Sequence, residues 1–348
     1  MKKFLPVFLS CQGYRLSDEE KHLFAKYRPL GVCLFAKYCD NIKDPEQINL
    51  LVNDIRQAVE SDEVLIAVDQ EGGRVRRLTE PQFTSVTAPQ NLTTEELAFE
   101  HAYLISHDLK LSGINVNFAP VLDIMTEKTS AALSGRCLPN NIPQLAKVMT
   151  DEYIKQGVCP CVKHMPGHGR AESDPHLELP VIKADLKELQ KDFAPFKALN
   201  DVPMGMVAHI VLTAIDKERA ATLSPIIIKD IIREQIGFKG LLVSDAIVMK
   251  ALKGTIAERA KQAIAAGCDV ICLGNADFET NRELCESGII LSDEAEERLK
   301  PVWNIINKTG DFSQYKQVKN KYCESLKNIV SYDYQYDATE VLNRLRKQ

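Results

Sequence analysis

Three of the chain's seven histidines lie within fourteen residues, in the segment KHMPGHGRAESDPH at 163–176. Histidine is the side chain that takes up and releases protons near neutral pH. Asp174 stands two residues before His176, where a carboxylate can contact the imidazole and fix its tautomer, as the acid of a catalytic triad does. The segment therefore predicts an active-site loop that performs acid–base chemistry, and the alternative is a solvated polar loop.

Short apolar runs alternate with amphipathic stretches along the whole chain. The runs predict strands at 4–10, 30–36, 64–69, 115–119, 158–163, 205–212, 240–245 and 269–274. Helical patterns lie at 44–60, 95–112, 143–156, 184–199, 224–236, 255–266 and 293–307. Eight strands that alternate with helices predict an α/β fold, a TIM-type (β/α)8 barrel. We expect an irregular first connection, because the segment between the first two strands looks short.

This fold gathers the candidate residues on one face. Those at the C-terminal ends of predicted strands are Asp69, Asp123, Lys163, His164, His209 and Asp245. Barrel enzymes build their sites on the face where these strand ends meet. Periodicity alone therefore predicts a common site.

The length of 348 residues suits one barrel, which we assign to residues 1–310, with a helical extension at 311–348 that packs on it. The net charge is −5, with acids and bases interspersed, so we expect neither nucleic acid nor a membrane surface as partner. No segment approaches the ~18 apolar residues of a membrane span. The oligomeric state is not indicated.

The ten cysteines form no CxxC pair and no grouping typical of a metal site. Free, buried thiols in a reducing compartment explain them better than disulfides, so we expect a cytoplasmic protein. The N-terminus resembles a lipoprotein signal, with Lys2 and Lys3 before an apolar stretch at 4–10 and then Cys11. That stretch is at the lower limit of a signal's apolar region, and we interpret it as the first barrel strand.

Five separated segments resemble, in the same order, the motifs of glycoside hydrolase family 3, in its N-acetylglucosaminidase branch. They are AVDQEGGRVRRL at 67–78, NFAPVLDI at 117–124, the KHMPGHG loop with its D-x-H, AHIVLTAID at 208–216 and VSDAIVM at 243–249. The likeness covers about residues 4–308. It implies a barrel enzyme that cleaves a glycosidic bond and needs no cofactor.

The resemblance implies the two catalytic roles. Glycoside cleavage needs an anion beneath the anomeric carbon and a proton donor at the leaving oxygen. Asp245 matches the nucleophile, although Ala246 follows it where the family often has a second Asp. His176, paired with Asp174, matches the acid/base. The alternatives are a helix-capping aspartate at Asp245 and a surface histidine at His176.

The resemblance also implies the sugar-binding residues. They are Asp69, Arg77, Arg136, Lys163 and His164, whose charges and hydrogen-bonding groups suit the hydroxyls of a pyranose. His209 either contacts the substrate or is a buried barrel histidine. We expect His168 to be structural and to tie down the Pro-Gly loop, and Arg74 and Arg76 to be solvated or packed along the barrel rim. We expect no metal site, because the histidines cluster on one loop instead of on several strand ends.

The implied function is that of a retaining exo-β-N-acetylglucosaminidase acting on N-acetylglucosaminyl-anhydromuramyl glycosides from cell-wall turnover. A phosphorylase remains open, because a histidine acid/base repels phosphate less than a second carboxylate would. A sugar-binding barrel without catalysis also remains open. A β-glucosidase is less favoured, since family members of that type resemble longer, two-domain proteins.

Overall fold

The computed structural model describes residues 3–175 and 177–327. In chain order the strands of these residues are β1 Leu5–Leu9, β2 Pro29–Cys33, β3 Leu65–Val68, β4 Val116–Asn117, β5 Cys159–Met165, β6 Val181–Ile182, β7 Met204–Val207, β8 Val211–Leu212, β9 Leu241–Ser244 and β10 Ile271–Cys272. Eight of them form one parallel sheet in the order β10-β1-β2-β3-β4-β5-β7-β9, and β6 pairs with β8 in a separate small sheet.

The two ends of the eight-stranded sheet meet. Val243 in β9 forms a parallel bridge with Val270, just before β10. The N–H of Ser244 donates to the carbonyl of Val270 at 2.9 Å, and the N–H of Val270 donates to the carbonyl of Leu242 at 3.0 Å. These bonds close the sheet into a ring, which confirms the predicted barrel.

Helices cover the outside of the ring. Their bounds are α1 Asp18–Tyr27, α2 Pro45–Val59, α3 Glu95–Leu111, α4 Ile142–Lys155, α5 Leu186–Ala198, α6 Ile256–Ala266, α7 Phe278–Cys285, α8 Asp293–Ile306 and α9 Tyr315–Ser325, with a π-helical segment at Ile227–Gln235. The predicted helices are present. The predicted strand at 205–212 is in fact two strands, β7 and β8, which belong to different sheets.

The first connection contains a helix that the sequence patterns did not predict. Ser17 and Glu20 form a capping box, in which each side chain accepts a bond from the other residue's backbone N–H. Such a box satisfies the free N–H groups that open a helix, so α1 begins here. The expected irregularity appears instead as a shift in register between β1 and β2, near Leu5 and Phe8.

Apolar side chains fill the barrel. Phe8 of β1 and Phe118 after β4 meet edge to face, with ring centroids 5.4 Å apart. A Cβ at Gly31 would lie 2.6 Å from the Phe8 ring and 2.5 Å from the Leu65 carbonyl, so only glycine fits opposite this ring. The cysteines are free, and all but Cys323 are buried, as the sequence predicted.

The C-terminal extension contributes α9, which packs on α3 and buries Val318 and Tyr322. Residues 328–348 of the predicted extension lie outside the described residues, so the domain division at 310 stays a prediction. In the described part of the chain, no helix has the length and apolar character needed to cross a membrane.

Candidate active site

A cavity opens at the C-terminal ends of the barrel strands. Predicted site residues that line it are Asp69, Arg77, Arg136, Lys163, His164 and Asp245, and Arg74, His168 and Pro175 line it as well. The convergence expected from periodicity therefore occurs for Asp69, Lys163, His164 and Asp245, whereas Arg77 and Arg136 were expected from the family resemblance.

Lys163, within β5, is the central cation of the site. Its side chain is 2% exposed, and its Nζ lies 2.8 Å from Asp69 Oδ1 and 2.7 Å from Glu71 Oε1. Burial opposes ionisation of Asp69, but the charges of Lys163 and Arg77 outweigh it, so the pKa of that carboxyl lies below its usual value. These ion pairs fix the positions of the charged side chains relative to one another.

Glu71 joins Lys163 to Arg136. Arg136 donates from Nε to Oε2 and from Nη2 to Oε1 of Glu71, both at 2.8 Å. Burial disfavours the Glu71 anion, but the charges of Arg136 and Lys163 prevail and hold its pKa well below the usual range. Arg136 also donates from Nη1 to the Ala132 carbonyl at 3.1 Å, so its guanidinium is held on two sides.

Asp123 orients His164. The Nδ1 of His164 lies 2.7 Å from Asp123 Oδ2, and the backbone N–H of His168 donates to Asp123 Oδ1 at 2.6 Å. Burial opposes the charge on Asp123, but His164 outweighs it and lowers the pKa of that carboxyl. With Nδ1 donating to Asp123, the Nε2 of His164 faces Arg136 Nη2 at 3.5 Å. One buried carboxylate thus fixes both the imidazole of His164 and the backbone of His168.

Arg77 borders Asp69 from the other side. Its Nη2 lies 3.4 Å from Asp69 Oδ2, and its guanidinium carbon lies 5.9 Å from the centroid of the Phe35 ring, within range of a cation–π contact. No described residue accepts a hydrogen bond from its Nε. Arg77 therefore keeps donor capacity beside the cavity.

Asp245 follows β9 and is 8% exposed. Its backbone N–H donates to the Val207 carbonyl at 2.9 Å, which attaches the end of β9 to β7. Its Oδ1 accepts the N–H of Ala246 at 2.7 Å. The carboxylate is thus held by its own strand end at the wall of the cavity.

Asp174 is buried, and its loop reaches the cavity through Pro175. The carbonyl of Asp174 accepts the N–H groups of Leu177 at 2.9 Å and of Glu178 at 3.1 Å, which forms a turn. His176, the predicted acid/base, lies outside the described residues.

His209 is fully buried. Its Nδ1 lies 2.8 Å from Thr222 Oγ1, and its Nε2 lies 3.1 Å from the Ala246 carbonyl. It is absent from the described residues that line the cavity. These contacts support the residue that follows Asp245, and the predicted contact of His209 with a sugar stays a prediction.

His168 lines the cavity and is 3% exposed. Within the described part of the chain neither of its ring nitrogens has a hydrogen-bond partner. Burial lowers the pKa of this imidazole to about 4. The expectation that His168 ties down the loop agrees with the bond from its backbone N–H to Asp123.

Two residues of the site were missed by the sequence interpretation. Glu71 stands two residues after Asp69, and side chains two apart in an extended segment share a face, which was an available signal. Arg74 was expected at the rim but lines the cavity, and its Nε donates to the Ser134 carbonyl at 2.9 Å. No sequence signal distinguished Arg74 from Arg76. In residues 3–175 and 177–327, no cluster of three or more His, Cys, Asp and Glu is placed to hold a metal ion.

Residues 6–305 match the model of the Glycosyl hydrolase family 3 N terminal domain. The β-hexosaminidase of Psychromonas ingrahamii is 35% identical over 286 residues, which are 78% of this chain and 82% of that protein. The β-hexosaminidase of Chromobacterium violaceum is 33% identical over 334 residues, 88% of this chain and 91% of that protein.

Solved structures agree with these sequence matches. NagZ from Neisseria gonorrhoeae, in complex with N-trifluoroacetyl-D-glucosamine, superposes with a TM-score of 0.81 at 29% identity and covers 93% of this chain and 98% of that one. A family 3 β-N-acetylglucosaminidase from Paenibacillus has a TM-score of 0.78 at 28% identity and covers 98% of this chain and 66% of that one. The chain therefore belongs to glycoside hydrolase family 3 and is a glycoside hydrolase.

Proposed function

We propose that this enzyme is a retaining exo-β-N-acetylglucosaminidase that releases N-acetylglucosamine from muropeptide-derived glycosides. The observation that carries the proposal is that the Asp245 carboxylate lines the same cavity as the charged network of Asp69, Lys163 and Arg136. Two relatives bear the name β-hexosaminidase, and a similar structure holds a glucosamine derivative. Both facts favour a small amino-sugar glycoside as substrate.

In the proposed reaction Asp245 is the nucleophile. Its carboxylate oxygen forms a bond to the anomeric carbon while the bond to the leaving oxygen breaks, which gives a covalent glycosyl ester. The position of Asp245 at the cavity wall and the hydrogen bond from the Ala246 N–H at 2.7 Å support this role, since the carboxylate is held in one orientation. The helix-cap alternative receives no support, because the segment after Asp245 is a turn.

His176, oriented by Asp174, is the proposed acid/base. It gives a proton to the leaving oxygen in the first step. In the second step it takes a proton from water as the water oxygen attacks the anomeric carbon and the ester bond to Asp245 breaks. Two inversions leave the product with the β configuration. The turn at Asp174 and the position of Pro175 at the cavity support a loop that can present this residue to the substrate.

Asp69, Arg77, Arg136, Lys163 and His164 are the proposed sugar-binding residues. Their ion pairs hold the donors and acceptors in place before the sugar arrives, which lowers the entropy cost of binding. His168 adds an imidazole whose nitrogens have no partner among the described residues. A buried polar group without a partner costs free energy, and a sugar hydroxyl would satisfy it. The proposed role of His209 is a contact at the edge of this group.

The proposed substrate class is N-acetylglucosaminyl-anhydromuramyl glycosides, which assigns the enzyme to peptidoglycan recycling in the cytoplasm. The free cysteines, nine of them buried, are compatible with a reducing compartment. Arg77, Arg136 and Lys163 supply hydrogen-bond donors for the oxygens of such a sugar.

Hydrolysis of an aryl N-acetyl-β-D-glucosaminide tests the proposal, and the released phenol is the measured product. Turnover of this substrate without turnover of the aryl β-D-glucoside is expected, with the β anomer of N-acetylglucosamine formed first. Added inorganic phosphate should leave the rate and the product unchanged. Formation of a sugar 1-phosphate would show that the enzyme is a phosphorylase and not a hydrolase. The absence of any turnover would favour a sugar-binding barrel.

A further inference from the structure

A chain of hydrogen bonds leads from α9 to the backbone of Glu71. The backbone N–H of Thr87 lies 3.0 Å from Tyr322 Oη, which lies 2.7 Å from His101 Nδ1. On the other side of the ring, His101 Nε2 lies 2.9 Å from the carbonyl of Glu71. Both Tyr322 and His101 are fully buried.

The direction of every bond in this chain is determined. The Glu71 carbonyl can only accept, so the Nε2 of His101 carries a proton and donates it. Burial lowers the pKa of His101 to about 4, so at neutral pH its Nδ1 has no proton and accepts. The hydroxyl of Tyr322 must then donate to Nδ1, and its oxygen accepts the N–H of Thr87. Each donor in this series of hydrogen bonds therefore faces an acceptor, and each acceptor faces a donor.

The chain ends at a residue that organises the sugar-binding cations. The side chain of Glu71 contacts Arg136 with two bonds of 2.8 Å and Lys163 at 2.7 Å. The backbone of the next residue, Gly72, packs closely against the imidazole of His101, since a Cβ at Gly72 would lie 2.7 Å from His101 Cε1. A shift of the imidazole would therefore displace the backbone that carries the Glu71 carboxylate.

We propose that Tyr322 and His101 are positioning residues of the active site, through which α9 fixes Glu71 and, with it, Arg136 and Lys163. The effect on catalysis rests on the proposed function of these cations in sugar binding. The helix α9 lies beyond residues 6–305, which match the family model. In this proposal the C-terminal extension both covers α3 and holds Glu71 in position.

Tyr322→Phe tests the proposal, because it removes one hydroxyl and keeps the ring. Tyr315→Phe is the matched control. Tyr315 lies on the same helix, and its hydroxyl also forms a hydrogen bond, to Thr84 Oγ1 at 2.9 Å, but no described bond connects it to Glu71. We expect Tyr322→Phe to lower kcat/KM for the aryl N-acetyl-β-D-glucosaminide about tenfold, mainly through a higher KM, as expected when binding groups are misplaced. Tyr315→Phe should stay within about twofold of the wild type, since its lost hydrogen bonds, to Thr84 and Lys319, do not lead to Glu71.

The thermal midpoint of each variant separates positioning from folding. Equal losses of kcat/KM in both variants, or a lower midpoint for Tyr322→Phe with unchanged kinetics, would overturn the proposal. The pair His101→Phe with Tyr322→Phe gives a second kinetic test. The effects of substitutions in one connected series of hydrogen bonds should be non-additive. The double variant should therefore lose little more kcat/KM than the worse single variant, and additive losses would contradict the connection.

The protonation of His101 gives a test that needs no activity. In a long-range ¹H–¹⁵N correlation spectrum of the wild type, its ring should appear as the neutral tautomer with the proton on Nε2 at pH 6. The Nδ1–H tautomer or an imidazolium would overturn the hydrogen-bond chain even if the enzyme is active. Conversely, a wild type that has the expected tautomer but no turnover would refute the proposed function and leave the chain intact.

Discussion

Glu71 and Arg136 form a two-point ion pair, with both N–O distances at 2.8 Å. Glu71 is 1% exposed, and its Oε1 also lies 2.7 Å from the Nζ of Lys163. A single carboxylate therefore pairs with two cations that are proposed to bind the sugar. Because all three groups are out of water, removal of the anion should have a larger effect than the loss of an exposed ion pair.

Glu71→Gln should lower the free energy of unfolding at pH 7 by about 3 kcal/mol, the lower range for a broken buried pair, since Lys163 keeps Asp69 as partner. It should also raise KM. Arg136 and Lys163 lower the pKa of Glu71, so its stabilisation exists above the unfolded pKa and is lost as pH falls toward the folded value. Urea unfolding at several pH values should show the two proteins converging in acid.

Glu100→Gln is the matched control for this substitution. Glu100 is also buried, but its carboxylate oxygens have no hydrogen-bond partner among the described residues, and burial raises its pKa. The change should be nearly neutral, because the one described ion pair of Glu100 is to Lys321 at 3.5 Å, a half-exposed lysine that also pairs with Glu96, and such pairs contribute little. Similar losses in the free energy of unfolding for both variants would show that the ion pairs of Glu71 do not add to stability.

Asp245→Asn should abolish turnover while N-acetylglucosamine still binds, because the charge is lost and the shape is kept. A covalent adduct trapped with a 2-fluoro sugar should map to Asp245 by peptide mass spectrometry, and an adduct on another residue would refute the assignment. Asp44→Asn is the control, since Asp44 caps α2 by accepting the N–H of Gln47 at 2.8 Å. Asn caps helices as well as Asp does, so that variant should remain active.

His176→Ala should slow substrates with poor leaving groups far more than aryl glycosides with good ones. Help from a general acid is worth about 10²–10⁴ in rate, and a good leaving group needs little of it. Rates for a series of aryl glycosides measure the effect as the slope against leaving-group pKa, which should be steeper in the variant. An unchanged slope would remove His176 as the acid, and His164 and Asp69 would be the next candidates.

Stability should fall as the pH drops from 7 to 5, because two buried histidines resist protonation. Burial lowers the pKa of His101 and of His168 to about 4, whereas the unfolded chain takes up protons near pH 6.5. Each contributes stability that is complete above pH 6.5 and is lost as pH falls toward 4, about 2 kcal/mol at pH 5. His168→Phe should reduce the loss between pH 7 and 5 by about that amount in urea unfolding. An unchanged loss would mean that the His168 ring already has a partner or water.

The sequence alone determined the barrel and the position of its site. Strand and helix periodicities are local properties, so the eight strands and their order follow from the pattern, and strand ends bring Asp69, Lys163 and Asp245 to one face. Backbone capping at Ser17 and Glu20 is equally local, yet α1 was missed because its apolar pattern is weak. The family motifs added the roles of the residues, which periodicity cannot supply.

Only the tertiary structure decided how the polar side chains pair. Arg136 and Glu71 are 65 residues apart and Tyr322 and His101 are 221 apart, so their contacts exist only after the barrel closes and α9 packs on α3. The same holds for His168, whose backbone N–H donates to Asp123, 45 residues earlier in the chain. Hydrogen-bond partners depend on distances of a few tenths of an ångström and on burial, and neither is encoded in the local order of residues.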